Sequence, residues 1–307
     1  MGTGGIGGFF GAKLAAAGED VYFIARGKHL ESMKMHGLTV TSTAGTFKIP
    51  PEKVSGDPAS IGHADVVLFC VKAYDTETAA RQISPILHDN SIVLSLQNGV
   101  DNVEKIQQQL HHGLAYGGAA YISARITAPG EISESGGFQR IVFGPTSGSV
   151  TARARDIHAS FLRAGIKCDI IDNVNQELWK KFIFIASMGA LTALSRLTHG
   201  EILSNPNSLS LAFDAMREIQ SIAWKLGIDV EPLDETKVLE GLKRFDPDTR
   251  SSMYFDLVSG KPMEVEALNG TVVRLGEQLG VATPIHRVIY ASLLPHHLKH
   301  MQQRVSH

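Results

Sequence analysis

The sequence predicts a two-domain α/β protein in which a doubly wound parallel sheet is followed by an all-helical C-terminal domain. In roughly the first 170 residues, short apolar runs alternate with helical segments, which is the pattern of a parallel sheet covered by helices on both faces. From about Asn173 onward, long helical patterns replace the β-rich runs. We therefore expect domains at residues 1–172 and 173–307.

Strands of the first domain are predicted where short apolar runs end at charged residues or glycines. Several runs, such as VYFIA and DVVLFCV, are apolar without alternation, which indicates strands that are buried on both faces. The predicted strands cover residues 21–25, 65–71, 91–96, 114–122, a stretch around Glu131, 140–143 and 168–171. Helices are predicted at residues 9–17 and 77–83.

The second domain is predicted to consist of helices with stop signals at Gly227, Gly280 and Pro284. The predicted helices cover residues 176–197, 209–226, 234–244, 264–279 and 285–302. Residues 182–194 form the most apolar stretch of the chain. These 13 residues are too few to span a bilayer, so the stretch is interpreted as a core helix.

The composition argues against several classes of function. Of the 307 residues, 43% are hydrophobic and 20% are charged, as in globular domains. The net charge of −2 gives no electrostatic basis for binding nucleic acid or an anionic membrane. Cys70 and Cys168 lie far apart without a C-x-x-C pair, so neither a disulfide framework nor a metal site is indicated. We expect a cytoplasmic protein whose partner is a small molecule.

The chain opens on a glycine-rich loop of the kind that binds dinucleotides. Its residues match the pattern G-x-G-x-x-G and are Gly2, Thr3, Gly4, Gly5, Ile6 and Gly7. A helix and an apolar strand follow at the spacing of a βαβ unit, in which a dinucleotide pyrophosphate lies at the helix N-terminus. The pattern normally follows a buried strand, but only Met1 precedes it. Because that strand supplies buried side chains to the core, we hypothesise that the natural chain begins about five residues upstream.

Two cations at predicted strand ends favour NADP over NAD. Arg26 ends the strand after the glycine loop. An acidic residue there would bind the ribose 2′-hydroxyl of NAD, whereas arginine suits the 2′-phosphate of NADP. Lys72 ends the next clear strand, so it can face the same crevice. The alternative is that both residues are solvated cations at strand ends.

Several further residues lie at positions where the sequence alone leaves their role open. Asn98, in the turn-like sequence QNG, is either an ordinary turn residue or an amide near the nicotinamide. Lys180 and Lys181 begin a long apolar helix, and most lysines in such places are solvated. Ser252 and Glu264 lie in SSMYFDLVSGKPMEVEALNG and are surface groups by default.

Taken together, these segments resemble the ketopantoate reductase (2-dehydropantoate 2-reductase) family over nearly the full chain. The resemblance rests on motifs in the family's order, which are GTGGIGG, IARGKHL with Arg26, VKAYDT with Lys72, LQNGVDN with Asn98, LWKKF with Lys181, and SSMYFD…EVEALNG with Ser252 and Glu264. It implies a Rossmann-type domain before a helical substrate and dimerisation domain, as in 6-phosphogluconate-dehydrogenase-like folds. It makes a homodimer plausible.

The resemblance also implies an activity, the NADPH-dependent reduction of 2-dehydropantoate to pantoate in pantothenate biosynthesis. Lys181 would donate a proton or a hydrogen bond to the ketone, and Glu264 would bind a substrate hydroxyl or orient Lys181. Ser252 would contact the substrate carboxylate, and Asn98 would hold the substrate or the lysine near the nicotinamide. An ammonium group suits this chemistry because hydride addition builds an alkoxide.

Two positions depart from the family pattern. Enzymes of this family tend to carry asparagines four and eight residues after the lysine, where this chain has Ile185 and Gly189. Because a lost buried hydrogen bond costs about 0.5–1.5 kcal/mol, a bulkier or more apolar 2-keto acid, or another carbonyl compound, is an alternative substrate. A non-catalytic NADP-binding sensor is a second alternative, which Lys181 and Glu264 oppose. A 3-hydroxyacid or 6-phosphogluconate-type dehydrogenase is a third.

Overall fold

The computed structural model describes residues 1–43, 45–243 and 246–305 and divides the chain into two compact units. The first unit is Met1–Leu178 and the second is Trp179–His307. The division falls within the long helix α6, Asn175–Ser195, which begins shortly after Asp172, where sequence analysis places the boundary. An α/β unit precedes a helical one, so the predicted fold class is confirmed.

The first unit alternates helices with strands along most of its length. Its helices are α1 (Gly5–Ala16), α2 (Gly27–His36), α3 (Thr76–Ile83), α4 (Asn102–Gln107) and α5 (Ala152–Arg163). Its strands are β1 (Phe23–Ile24), β2 (Leu38–Ser42), β3 (Gly45–Ile49), β4 (Val54–Ser55), β5 (Val66–Phe69), β6 (Ile92–Ser95), β7 (Leu114–Ala128), β8 (Glu131–Gly144) and β9 (Lys167–Ile170). Strands β2 and β3 were not predicted, because threonines and a lysine interrupt their apolar residues.

Most strands belong to a seven-stranded sheet with the order β3-β2-β8-β7-β6-β5, in which β9 also pairs with β8. Strands β5, β6 and β7 are parallel, whereas β2–β3 and β7–β8 are antiparallel. Strands β1 and β4 form a separate parallel pair. The sheet is therefore mixed on the side of β3, β2 and β8 and parallel on the side of β7, β6 and β5. On the parallel side, Lys72 follows β5 and Asn98 follows β6.

The β7–β8 hairpin corrects part of the predicted strand pattern. The apolar runs predict short strands at 114–122, near Glu131 and at 140–143, but the structure has two strands of 15 and 14 residues. Much of the outer part of the hairpin is polar and partly exposed, so it lacks the apolar signal of a buried strand. The hairpin turns at Gly130, whose φ of +81° favours glycine.

Residues 1–3 lie between the β1–β4 pair and the seven-stranded sheet. The Met1 amino group donates to the Leu68 carbonyl (2.9 Å), and the Cys70 N–H donates to the Met1 carbonyl (2.9 Å). On the other side, the next two N–H groups of the chain donate to the Ile24 carbonyl. These residues therefore join the two sheets through backbone hydrogen bonds. That the natural chain contains residues before Met1 stays a hypothesis.

Helices form most of the second unit. After α6 they are α7 (His199–Ser204), α8 (Pro206–Lys225), α9 (Glu235–Leu242), α10 (Ser252–Val258), α11 (Thr271–Leu279) and α12 (Pro284–Val305), and a π-helical turn, Glu266–Gly270, precedes α11. The short helices α7 and α10 were not predicted, because so few residues show no clear period. By length and composition α6 is a candidate membrane span, but 67% of its most apolar window is buried, as in a core helix.

A buried carboxylate caps the start of α12. Glu218, on α8, accepts hydrogen bonds from the N–H groups of Ile285 (2.8 Å) and His286 (3.1 Å). It also pairs with Nδ1 of the His286 ring (2.7 Å), and the two side chains are only 9% and 0% exposed. First-turn N–H groups have no partners within their own helix, and the helix dipole favours a carboxylate beside them. Glu218 therefore fixes α12 against α8.

We expect Glu218→Ala to lower the free energy of unfolding by about 2–4 kcal/mol, because buried N–H groups and a buried histidine lose their acceptor. The matched control is Asp234, which caps α9 with a 47% exposed side chain. Asp234→Ala should cost only about 1 kcal/mol. Urea unfolding of both variants measures the difference, and equal losses would contradict a special role for the buried cap.

Candidate functional site

The glycine-rich loop packs against the end of β5 so closely that two positions require glycine. Gly2 has a φ of +87°, and a Cβ atom there would lie 2.7 Å from the Val71 nitrogen. A Cβ atom on Gly7 would lie 2.5 Å from the Gly2 carbonyl oxygen. Larger side chains at these positions would push the loop away from the strand. The two glycines therefore allow α1 to begin beside the strand end.

The start of α1 fits the pyrophosphate of a dinucleotide. A Cβ atom built on Gly4, the cap residue of α1, has no heavy atom of the described chain within 4 Å. The first turn of α1, from Gly5 onward, contains no acidic residue. Its N–H groups are those that a helix leaves without internal acceptors, and they lie at the positive end of the helix dipole. At Gly4 this positively polarised backbone is open, which suits an anion, whereas Gly5 packs closely against β7, where a Cβ atom on it would collide with the Ala124 carbonyl oxygen.

Two other residues of the predicted loop face the protein. The Thr3 hydroxyl donates to the Ile24 carbonyl (3.0 Å), and Thr3 is buried. Ile6 packs against the apolar core of the first unit. Both side chains therefore anchor the loop, and their predicted part in cofactor binding stays a prediction.

Asp75 connects the two segments that carry Arg26 and Lys72. Arg26 caps α2 just after β1, and its guanidinium group forms an ion pair with Asp75. Asp75 ends the 3₁₀ turn Ala73–Asp75 that follows Lys72, and its N–H donates to the Lys72 carbonyl (2.8 Å). The Arg26 side chain is 65% exposed, which leaves it accessible to a ligand. The two cations, which follow β1 and β5, suit a phosphate dianion.

A buried polar cluster lies at the carboxyl ends of β5 and β6. The Gln97 side-chain nitrogen Nε2 donates to the Val71 carbonyl (2.9 Å) and to Thr76 Oγ1 (2.8 Å). The Gln97 oxygen Oε1 accepts a hydrogen bond from the Ser95 hydroxyl (3.0 Å). Ser95, Gln97 and Thr76 are all buried. Gln97 therefore links the end of β6 to the chain that follows β5.

The same cluster reaches the backbone of Asn98. The Thr76 hydroxyl donates to Asn102 Oδ1 (3.3 Å), and Asn102 Nδ2 donates to the Asn98 carbonyl (2.9 Å). Asn102 is buried, whereas Asn98 is only half-buried. The buried Thr76 and Asn102 side chains therefore support the backbone of the turn that follows β6. The role of the Asn98 side chain stays a prediction.

In the second unit, the structure places Lys181 and Glu264 close enough for their charges to interact. Lys181 lies on α6, and Glu264 lies just before the π-helical turn with 7% of its surface exposed. Burial lowers the pKa of Lys181 to about 8, and the Glu264 charge opposes this shift. The neighbouring Lys180 is exposed, as expected of an ordinary surface lysine. Lys181 is therefore a cation that gives up its proton more easily than a solvated lysine does.

The positions that depart from the family pattern lie on the same helix. The Ser251 hydroxyl donates a hydrogen bond to the Gly189 carbonyl (2.7 Å). The same hydroxyl caps α10 by accepting a hydrogen bond from the Tyr254 N–H. A Cβ atom on Gly189 would make an ordinary contact with Ser251, at 3.6 Å. Ser252 is exposed at the first position of α10. The hydroxyl that contacts α6 here is thus that of Ser251, and the substrate contact of Ser252 stays a prediction.

A buried asparagine in the chain after Glu264 forms a hydrogen bond to α6. Sequence analysis did not identify this residue. Asn269 is fully buried within the π-helical turn, and its Nδ2 donates to the Ala186 carbonyl of α6 (3.0 Å). A π-helical turn inside a helix often accompanies a functional site. The signal in the sequence is an amide directly after the apolar pair Ala267 and Leu268, in a segment that forms a helix.

Comparison with known proteins finds two family models that match this chain. Ketopantoate reductase PanE/ApbA matches residues 1–148, and Ketopantoate reductase PanE/ApbA C terminal matches residues 173–296. A 2-dehydropantoate 2-reductase of Archaeoglobus fulgidus is 31% identical over 291 residues, with 94% of each chain covered. An uncharacterized oxidoreductase of Bacillus subtilis, YkpB, is 29% identical over 295 residues, with 95% of this chain and 96% of the relative covered.

A solved structure shows the same similarity in three dimensions. The crystal structure of a PanE/ApbA family ketopantoate reductase from Ralstonia eutropha JMP134 matches with a TM-score of 0.89 and 31% identity, and 98% of each chain is covered. The resemblance drawn from the sequence motifs is thereby confirmed. Together these matches show that the chain belongs to the ketopantoate reductase family of oxidoreductases.

Proposed function

We propose that this protein reduces 2-dehydropantoate to pantoate with NADPH. The observation that carries the proposal is the electrostatic interaction of Lys181 with the buried Glu264, together with the lowered pKa of that lysine. Such a lysine is suited to protonate an oxygen on which charge develops. The relative from Archaeoglobus fulgidus, which is named a 2-dehydropantoate 2-reductase, supports this choice of substrate.

In the proposed reaction, NADPH when bound supplies a hydride to the ketone carbon. The carbonyl electron pair then moves to the oxygen, and Lys181 Nζ gives that oxygen a proton, which leaves a hydroxyl group and a neutral amine. A pKa of about 8 keeps Lys181 protonated at neutral pH while weakening its hold on the proton. Glu264 stabilises the ammonium form and orients it, or accepts a hydrogen bond from a substrate hydroxyl.

Cofactor binding is assigned in this proposal to the first unit. The backbone at Gly4 and the first turn of α1 would bind the pyrophosphate. Arg26 and Lys72 would bind the 2′-phosphate that distinguishes NADP from NAD. Asn98 would contact the nicotinamide or the substrate, and Ser252 would bind the substrate carboxylate. The open Gly4 backbone and the exposed Arg26 guanidinium support these roles.

A second candidate is the reduction of another 2-keto acid by the same machinery. It is favoured by Ile185 and Gly189, because neither provides the amide that the family pattern has at these positions. The Gly189 carbonyl already accepts a hydrogen bond from the Ser251 hydroxyl. An apolar side chain on the substrate would suit such a surface better than a hydroxyl would. The chemistry of Lys181 would be unchanged.

The first test is NADPH oxidation with a panel of 2-keto acids that includes 2-dehydropantoate. We expect Lys181→Ala to lower kcat by about 10²–10⁴-fold, since it removes the proton donor. The control is Lys180→Ala, which changes the adjacent exposed lysine and should retain activity. Unchanged turnover in Lys181→Ala would overturn the mechanism, and a preference for an apolar 2-keto acid would select the second candidate.

The pH dependence of kcat/KM tests the coupling of Lys181 to Glu264. We expect activity to fall above a pH of about 8, because Lys181 then loses the proton that it must donate. The negative charge of Glu264 raises the pKa of Lys181. Glu264→Gln should therefore move this alkaline fall to lower pH. A fall that moved upward or stayed in place would show that Glu264 does not hold the lysine proton.

Cofactor choice is tested by Arg26→Ala. We expect the KM for NADPH to rise about tenfold or more, while the KM for NADH changes little, because only NADPH carries the 2′-phosphate that the guanidinium would bind. The control is Arg81→Ala, which removes another exposed arginine of the first unit that pairs with Glu77. Equal increases for NADPH and NADH in the Arg26 variant would mean that Arg26 does not recognise the phosphate.

A further inference from the structure

We propose that Gln97 is a positioning residue that clamps the phosphate-binding segment 72–75 and thereby sets the affinity for NADP(H). This inference rests on the cofactor site of the proposed function, to which it adds a residue outside the ligand-binding surface. Gln97 is buried at the carboxyl end of β6, and its proposed action is exerted through Lys72 and Asp75.

The geometry of the clamp follows from the two hydrogens of a single amide nitrogen. One is donated to the carbonyl of Val71, the residue before segment 72–75, at 2.9 Å. The other is donated to the hydroxyl of Thr76, the residue after it, at 2.8 Å. Gln97 therefore ties both ends of a four-residue segment to one atom. Within that segment lie Lys72 and the carboxylate of Asp75, which pairs with Arg26.

The orientation of the Gln97 amide is fixed by its neighbours. The Val71 carbonyl can only accept a hydrogen bond, so the Gln97 nitrogen must face the segment, and the oxygen then faces the Ser95 hydroxyl, which donates to it (3.0 Å). Thr76 accepts from Gln97 and donates to Asn102, which in turn donates to the Asn98 carbonyl. The result is a continuous chain of hydrogen bonds from Ser95 to the Asn98 carbonyl, in which each side chain accepts from the preceding residue and donates to the following one.

Burial gives this chain its rigidity. Ser95, Gln97, Thr76 and Asn102 are between 1% and 6% exposed, so water cannot easily replace a lost partner. A buried donor or acceptor that loses its partner is costly, which favours a single conformation of the segment. Because a cationic site binds phosphate tightly only when its charges are held in place, a looser segment should lose affinity for the 2′-phosphate first.

The other end of the same strand provides a matched control. Ser91 precedes β6 and is buried, and its hydroxyl donates to the Ala64 carbonyl (2.7 Å) and accepts from the His88 N–H (2.9 Å). Ser91→Ala therefore removes a buried hydroxyl with two hydrogen bonds at the amino end of the strand, away from segment 72–75. It should lower stability without changing the affinity for NADP⁺.

The experiment measures binding of NADP⁺ and NAD⁺ by calorimetry to wild type, Gln97→Met, Thr76→Val and Ser91→Ala. Gln97→Met keeps the length of the side chain but removes both donors. We expect the Kd for NADP⁺ to rise about tenfold in Gln97→Met and by a smaller factor in Thr76→Val. The Kd for NAD⁺ should change by less than about threefold, because NAD⁺ lacks the phosphate that the segment would bind. If Gln97→Met does not fold, Thr76→Val alone decides.

A double-mutant cycle with Lys72→Ala separates positioning from general loss of structure. If Gln97 acts through Lys72, most of the effect of Gln97→Met should disappear in the Lys72→Ala background, so that the two changes are not additive. Additive effects, or equal weakening of NADP⁺ and NAD⁺, would overturn the inference and leave the proposed function intact. Failure of the wild type to bind NADP⁺ would overturn both.

Discussion

The structure of the first unit depends on how closely the backbone of residues 1–7 approaches β1 on one side and β5 on the other. A side chain on Gly2 would collide with the chain just after β5, and one on Gly7 would collide with the Gly2 carbonyl. Since both glycines are present, α1 can begin beside the strand ends and present its first N–H groups there. The same approach places residues 1–3 between β1 and β5, which are followed by Arg26 and Lys72.

The two units provide different kinds of chemistry. The first holds cations on segments that backbone and amide hydrogen bonds fix, so its ligand would meet charges that are already arranged. The second holds one lysine in a balance between two opposing effects. Burial favours the neutral amine of Lys181, and Glu264 favours the ammonium ion. The balance leaves a group close to the point at which it gives up its proton, which a solvated lysine would not be.

Much of this arrangement could be read from the sequence, because the relevant signals are local. A glycine pattern before a helix, a cation at each of two strand ends and a lysine on an apolar helix are visible in consecutive residues. Arg26 and Lys72 do lie at adjacent segments of one unit, joined by Asp75. The outer part of the β7–β8 hairpin was missed because its polar residues lack the apolar signal of a buried strand. Gln97 and Asn269 could not be assigned from the sequence, because their roles depend on partners distant in the chain.

The π-helical turn at Glu266–Gly270 has a consequence for what a deletion would do there. Such a turn holds one residue more than an α-helical turn in about one full circle, so its wider backbone absorbs the extra residue. The carbonyl of Glu264 accepts from the Leu268 N–H, so Glu264 belongs to the start of this helical run. Deleting one residue would tighten the turn to an α-helical one and leave Glu264 on nearly the same side of the helix. The extra residue therefore widens the helix locally, in the turn where Asn269 donates to the Ala186 carbonyl of α6, and does not set the side that the carboxylate occupies.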